Sequence, residues 1–277
     1  MKLWGERKAR EIVRRDTIEL LDDIVDRGAP IQANRTLACV RRMFNFAVER
    51  GILENSPCAG VKAPSSENRR DRVLSEDEIR AFWGSLDQAS MTDPVKLALR
   101  FQLVTAQRKG EVIAASWDQF DLAAAIWTIP TEKAKNKMAH RVPLSPLALE
   151  LLKEIRAGSG DSAYLFTSPT RNGHITPTAV DHATRKHMDA FRASDQAQGG
   201  ILGHLRRTAA SHMTSMAIPR LVVSKVLNHA ESGVTAVYDR HSYDHEKREG
   251  LEACARRLEE ITKGETDPQV TKFSQQC

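Results

Sequence analysis

The sequence has no apolar run approaching the roughly 18–20 residues that a membrane span needs, and its N-terminus, MKLWGERKAREIVRR, is charged where a signal peptide would be apolar. Its four cysteines, Cys39, Cys58, Cys254 and Cys277, show no CxxC spacing, which argues against both a disulfide framework and a zinc site. The expectation is a reduced, cytoplasmic protein without membrane association. GxxxxGK[ST], GxGxxG after a strand, HExxH and GxSxG are all missing, so ATP hydrolysis, dinucleotide redox chemistry and serine hydrolysis lose their usual signatures. Nine histidines invite a metal hypothesis, but His182 and His187 lie five apart and off one helical face. No metal or other cofactor is expected.

What remains is ordinary globular usage with a basic balance. The 277 residues are 28% charged and 41% hydrophobic, enough for one large domain or two smaller ones. The net charge is +5, and residues 1–72 hold 15 Lys and Arg against 11 Asp and Glu. That balance suits a polyanionic partner without requiring one.

Helical periodicity dominates. Asp16 and Glu19 form a capping-box pattern ahead of Ile18, Leu21, Ile24 and Val25, and RGAP (27–30) stops that helix. A longer helix, about 32–50, places Leu37, Val40, Phe44, Ala47 and Val48 on one face and Arg35, Arg41 and Arg42 elsewhere. Those arginines read equally as a solvated face or as DNA contacts. The stretch 55–72 reads as a linker. Beyond it, Ser75/Glu78 and Asp93-Pro94 open helices. SWDQFD, AIWTIP and HRVPLS read as three short strands, and Ser145-Pro146 opens another helix. Helices follow near 177–190, 204–216, 219–228 and 243–262, and the tail 264–277 has little to bury.

Several cations and one scarce residue stand out. Arg108 sits in TAQRKGEV at a helix break, with Glu111 one turn on, and Lys135 lies at the tip of a hairpin. ILGHLRRTAASHM places His204 before the adjacent Arg206 and Arg207. His229 follows a helix in VLNHA, and Tyr238, one of three tyrosines, ends TAVY. Singly, each has a bland reading as a helix-end charge, a solvated side chain or a half-buried core residue.

Together they resemble the tyrosine recombinase (phage integrase) family. TAQRKGEV, the lysine eight residues before the proline of HRVPLS, LRRTAASHM, VLNHA and VYDRH stand in that family's motif order. The front segment QANRTLACVRRMFNFAVERGILENSPCAGVK is similar to the core-binding domain of prophage-type integrases, and the resemblance runs from about residue 10 to 262. It implies a mainly α fold: a partial, SAM-like helical core-binding domain (1–66) and a catalytic domain (72–263) with a small antiparallel sheet. It also implies a chain that lacks the arm-binding domain of related integrases.

The resemblance implies a chemistry as well. Two guanidiniums, Arg108 and Arg206, would clamp the non-bridging oxygens of a DNA phosphodiester, with His229 as a further donor. Tyr238 would be the nucleophile that forms a 3′-phosphotyrosine, and Lys135 the general acid for the 5′-oxygen. Double-stranded DNA would be the partner, and a homotetramer would form on synapsed sites. Arg207 becomes a bystander facing DNA or solvent. The family's acid–base histidine, however, aligns with Gly203, and His204 sits one residue late: either the base is missing, or a helix start shifted by one residue brings His204 into the site as the general base. A non-enzymatic helix–turn–helix DNA-binding protein and a catalytically impaired integrase remnant remain alternatives; a type IB topoisomerase would share the chemistry.

Overall fold

The computed structural model describes residues 4–67, 72–169, 172–191, 204–229, 239 and 241–264. It is mostly helical, at 58%, with one three-stranded antiparallel sheet. The chain forms two compact units, residues 1–71 and 72–277.

The first unit is built on two helices, α1 (Arg14–Asp26) and α2 (Pro30–Glu49). Asp16 lies inside α1 rather than at its cap. Its carboxylate accepts from the Val13 amide at 2.8 Å and from Arg7 at 2.7 Å, so the helix starts three residues earlier than the Asp16/Glu19 pattern suggested. Pro30 opens α2, because its fixed φ suits the first turn and its missing N–H would be unpaired there anyway. Leu21 and Ile24 pack with Leu37 and Phe44, and Trp4 meets Phe44 edge-on.

The segment expected as a linker folds back onto this unit as far as residue 67. Cys58 and Val61 enter the core. The Asn34 side chain brackets Ser65, donating to its carbonyl at 2.7 Å and accepting from its amide at 3.2 Å. Its Pro/Ser/Gly composition marks turns, and two apolar anchors hold those turns down.

In the second unit, Ser75 caps α3 (Glu76–Gln88) reciprocally with Glu78, as the sequence pattern predicts. Helix α4 (Asp93–Thr105) is buried at every position from Leu97 to Thr105, and so forms the centre of the unit. It ends at Ala106, whose φ of +57° is left-handed and costs a non-glycine residue about 1–2 kcal/mol. The reversal launches the short α5 (Lys109–Ile113). Strands β1 (Phe120–Asp121), β2 (Ile126–Ile129) and β3 (His140–Pro143) pair in sequence order, with Phe120 opposite Trp127 and Ile129 opposite His140. Phe101 of α4 packs among Phe120, Trp127 and Phe166, which fixes the sheet against the central helix.

Helices α6 (Pro146–Ser159), α7 (Pro177–Lys186), α8 (Leu205–Ser215), α9 (Arg220–Val226) and α10 (Asp244–Lys263) complete the unit. Leu205, Ala209 and Met213 form the buried face of α8; His212 lies to one side. Ala217, with φ +59°, makes the turn between α8 and α9. None of the described helices is long and apolar enough to cross a membrane.

Candidate active site

The last carbonyls of a helix lack partners within it and must be satisfied from outside. At α9 three such carbonyls, of Val226, Leu227 and Asn228, gather side chains from four distant parts of the second unit. The Val226 carbonyl accepts from Gln107 Nε2 and from His140 Nε2, each at 3.0 Å. The Leu227 carbonyl accepts from Arg206 Nη2. The Asn228 carbonyl accepts from Arg108 Nη2 and from Asn136 Nδ2, both at 3.2 Å. Cationic donors suit this end, where the helix dipole is negative.

Two of these donors share a carboxylate. Arg108 Nη1 donates to Glu111 Oε1 at 2.9 Å, and the Arg108 amide donates to Oε2 at 3.2 Å. Arg206 Nη1 approaches the same Oε2 at 4.0 Å. Glu111 is 4% exposed at its side chain, against 23% and 16% for the arginines, so one buried negative charge orders two cations that reach outward. Arg206 Nη1 itself is buried and has no hydrogen bond among the described residues. A guanidinium nitrogen left without a hydrogen bond in such a place is costly unless something accepts from it.

The local field is positive. Burial, followed by repulsion from Arg108, pulls the Arg206 pKa down to about 10 despite Glu111. Burial and then Arg206 and Arg108 lower that of His229, directly after the α9 turn. His140 is pushed to about 4 by burial, with Lys247, Arg206 and Arg108 adding to the shift and its bond to Val226 opposing it. The imidazole is therefore neutral near pH 7 and donates from Nε2 to the Val226 carbonyl. Such a cluster of partly buried donors is built to receive an anion with several oxygens.

The structure thus brings Arg108, Arg206 and His229 to one helix end. Lys135 lies in the turn between β2 and β3 and is exposed, while its neighbour Asn136 is bonded at that helix end. Arg206 and Arg207 part as neighbours on a helix must. Arg207 is exposed and donates to His204 Nδ1 at 3.3 Å and to the Arg72 carbonyl at 3.5 Å. His204, only 2% exposed, precedes α8. Gly203 and Tyr238 lie outside the described residues. In the first unit Arg35 and Arg42 are exposed on α2, whereas Arg41 donates to the Val61 carbonyl. Tyr243 commits its hydroxyl to Asp239 at 2.8 Å. No group of three His, Cys, Asp or Glu side chains among the described residues could hold a metal ion.

Sequence reasoning overlooked Gln107, Asn136, His140 and Asn228. Asn228 alone carried a local signal: asparagine directly after a helix often takes the left-handed conformation, and its φ is +47°. The others act through partners too far along the chain to pair by inspection.

Residues 72–245, more than half of the chain, match the Phage integrase family. The chain belongs to the phage integrase family. Prophage integrase IntZ of Escherichia coli (strain K12) is 27% identical over 95% of this chain and 64% of its own length. The chain therefore spans a little under two thirds of that relative. Two solved structures share the fold. A lambda integrase (75–356) dimer bound to a COC′ core site aligns with a TM-score of 0.62 at 20% identity, over 84% of this chain and 82% of that one. A lambda integrase tetramer bound to a Holliday junction also gives 0.62, at 22% identity, over 80% and 65%. The matched span of this chain includes Arg108, Lys135, Arg206, His229 and Tyr238.

Proposed function

We propose that the chain is a site-specific DNA recombinase of tyrosine type, cutting and rejoining DNA in integration and recombination. One observation carries this reading. Arg108 and Arg206 meet across Glu111 beside His229, with Arg206 Nη1 buried and making no hydrogen bond among the described residues. A scissile phosphate placed there would supply acceptors to both guanidiniums. Charge building on its non-bridging oxygens would be stabilised by donors already in position.

The Tyr238 oxygen would attack phosphorus, its phenolic proton passing to water, and the P–O5′ bond would break as Lys135 protonates the departing oxygen. The product is a 3′-phosphotyrosine, and attack by a 5′-hydroxyl reverses the step. Bond energy is retained, so no ATP is consumed and no metal or other cofactor is assigned. His204 is buried with Nδ1 engaged by Arg207, so we assign it no proton transfer. With glycine at the usual acid–base position, cleavage is slow rather than absent. Residues 1–66 are assigned as a partial core-binding domain, with Arg35 and Arg42 on DNA phosphates, and residues 72–263 as the catalytic domain. Synapsis of two double-stranded sites would use a homotetramer, as the lambda integrase tetramer on a Holliday junction suggests. The helix–turn–helix alternative is less well supported: α9 buries Val222, Val223 and Val226 and is capped at its end by the arginine cluster.

The test is covalent capture. A pool of nicked duplexes with randomised cores should yield a denaturation-resistant adduct with the wild-type chain and none with Tyr238→Phe. An adduct persisting in that variant would shift the nucleophile to another residue. No adduct from either protein would leave a DNA-binding remnant.

A further inference from the structure

We propose that Asn136 and Asn228 are positioning residues for the general acid: their paired amides dock the turn carrying Lys135 onto the helix end that carries His229. The inference rests on the recombinase reading above and concerns two residues to which that reading gives no role.

The pairing is reciprocal. Asn136 Nδ2 donates to Asn228 Oδ1 at 2.9 Å and to the Asn228 carbonyl at 3.2 Å, while Asn228 Nδ2 donates back to Asn136 Oδ1 at 3.2 Å. The Asn228 carbonyl also receives Arg108. One peptide oxygen therefore joins the turn to the phosphate clamp. At φ +47° Asn228 occupies a conformation that glycine adopts freely, and asparagine is the side chain that tolerates it while adding an amide.

The Lys135 backbone is pinned on both flanks. Ala134 before it is buried, Asn136 after it is bonded, and Lys133 Nζ reaches Ser116 Oγ at 3.1 Å. Lys135 itself is exposed on a long, flexible stem. A lysine must reach a leaving oxygen at a defined point, and fixing its main chain removes much of the search.

A leaving group that needs no proton isolates this role. The duplex recovered from the nicked pool would be resynthesised with oxygen or sulfur at the 5′-bridging position of the scissile phosphate. A thiolate departs without a general acid. On the oxygen substrate, Asn136→Ala and Asn136→Asp should slow single-turnover cleavage by roughly 10–100-fold, within the range of misplaced or lost acid catalysis. Asn228→Gly keeps the turn and the carbonyl and should cost less. The double variant Asn136→Ala/Asn228→Gly should be no slower than Asn136→Ala alone. On the sulfur substrate all of them, and Lys135→Ala, should cleave within about threefold of wild type, which also shows that the clamp is folded.

Slow cleavage that sulfur does not restore would make the pair merely structural and overturn the proposal. So would additive losses in the double variant, or wild-type rates on oxygen. If Lys135→Ala is not rescued while Asn136→Ala is, the lysine is the wrong acid and the positioning role falls with it. A wild-type chain that forms no adduct on either substrate overturns the recombinase reading itself.

Discussion

Arginines of the two units are used in opposite ways. On α2 of the first unit, Arg35 and Arg42 extend into solvent. In the second unit, Arg108 and Arg206 are mostly buried, share Glu111 and are bonded to consecutive carbonyls at one helix end. An exposed guanidinium is a mobile charge whose value is Coulombic and screened by salt. A fixed one is a geometric instrument. It has already lost its freedom, and the donors it has left point in one direction.

The sharpest way to break the comparison is to keep the charge and change the shape. Arg206→Lys retains a cation but cannot both bond the Leu227 carbonyl and present a second planar donor. Single-turnover cleavage should fall by about 10²–10³-fold, the usual cost of one transition-state donor, with DNA affinity little changed. Arg42→Lys should leave the rate within about twofold, because a mobile charge needs no fork. Equal losses in the two variants would show that both arginines act only as charges.

A second prediction concerns the anchor. Glu111→Ala leaves two neighbouring guanidiniums with no carboxylate between them and should destabilise the second unit by about 3 kcal/mol, read from urea unfolding. Nothing comparable holds Arg35 or Arg42 among the described residues, so no carboxylate removal in the first unit should match it. A change below about 1 kcal/mol would mean that the α9 carbonyls alone order the arginines.

Both helix ends and motifs were legible where the determining chemistry is local. Ser75 and Ser145 cap their helices through their side chains, the helix expected at Asp93-Pro94 begins there, and the three strands fall inside the segments chosen for them. Asp16 misled because an N3 carboxylate and a cap carboxylate look alike in sequence; what distinguishes them is the Val13 amide that Asp16 accepts from. Cys58 and Val61 were hidden by the turn residues around them. In the site, Arg108, Arg206 and His229 were visible through the motifs. The sequence could not show that their common ground is the end of α9. That arrangement depends on Gln107, Asn136 and His140 meeting carbonyls that lie some 86–119 positions along the chain.

A third prediction uses acid. All nine histidines lie in the second unit, and His140 is held near pKa 4 against an unfolded value of 6.5. Between those values the unfolded chain binds a proton that the folded one refuses, so stability is full above about pH 6.5 and falls as the pH drops toward 4. The loss approaches about 3 kcal/mol at the end of the window. His229 and His212, both lowered, add in the same direction. His140→Gln preserves a donor for the Val226 carbonyl without a titrating ring. It should flatten the dependence of the second unit's unfolding midpoint between pH 7 and 5, and an unchanged slope would place the acid sensitivity elsewhere. The first unit, lacking histidine, should show little dependence over the same range.

The smallest effect tests the exposed side of the comparison. If Arg35 and Arg42 meet phosphates, each neutralises one and releases condensed counterions on binding. Arg35→Gln and Arg42→Gln should then each weaken DNA affinity severalfold at low salt and reduce the slope of log K against log salt by about 0.9. The loss should be the same on unrelated duplexes, because a phosphate contact positions without reading sequence. Arg41→Gln should leave the slope unchanged, since its guanidinium is occupied by the Val61 carbonyl, and lose stability instead. If Arg41→Gln alters the slope as much as Arg42→Gln does, the α2 arginines act as a diffuse field and not as individual contacts. If none of the three alters it, the polyanion-binding surface lies wholly in the second unit and exposure on α2 is only solvation.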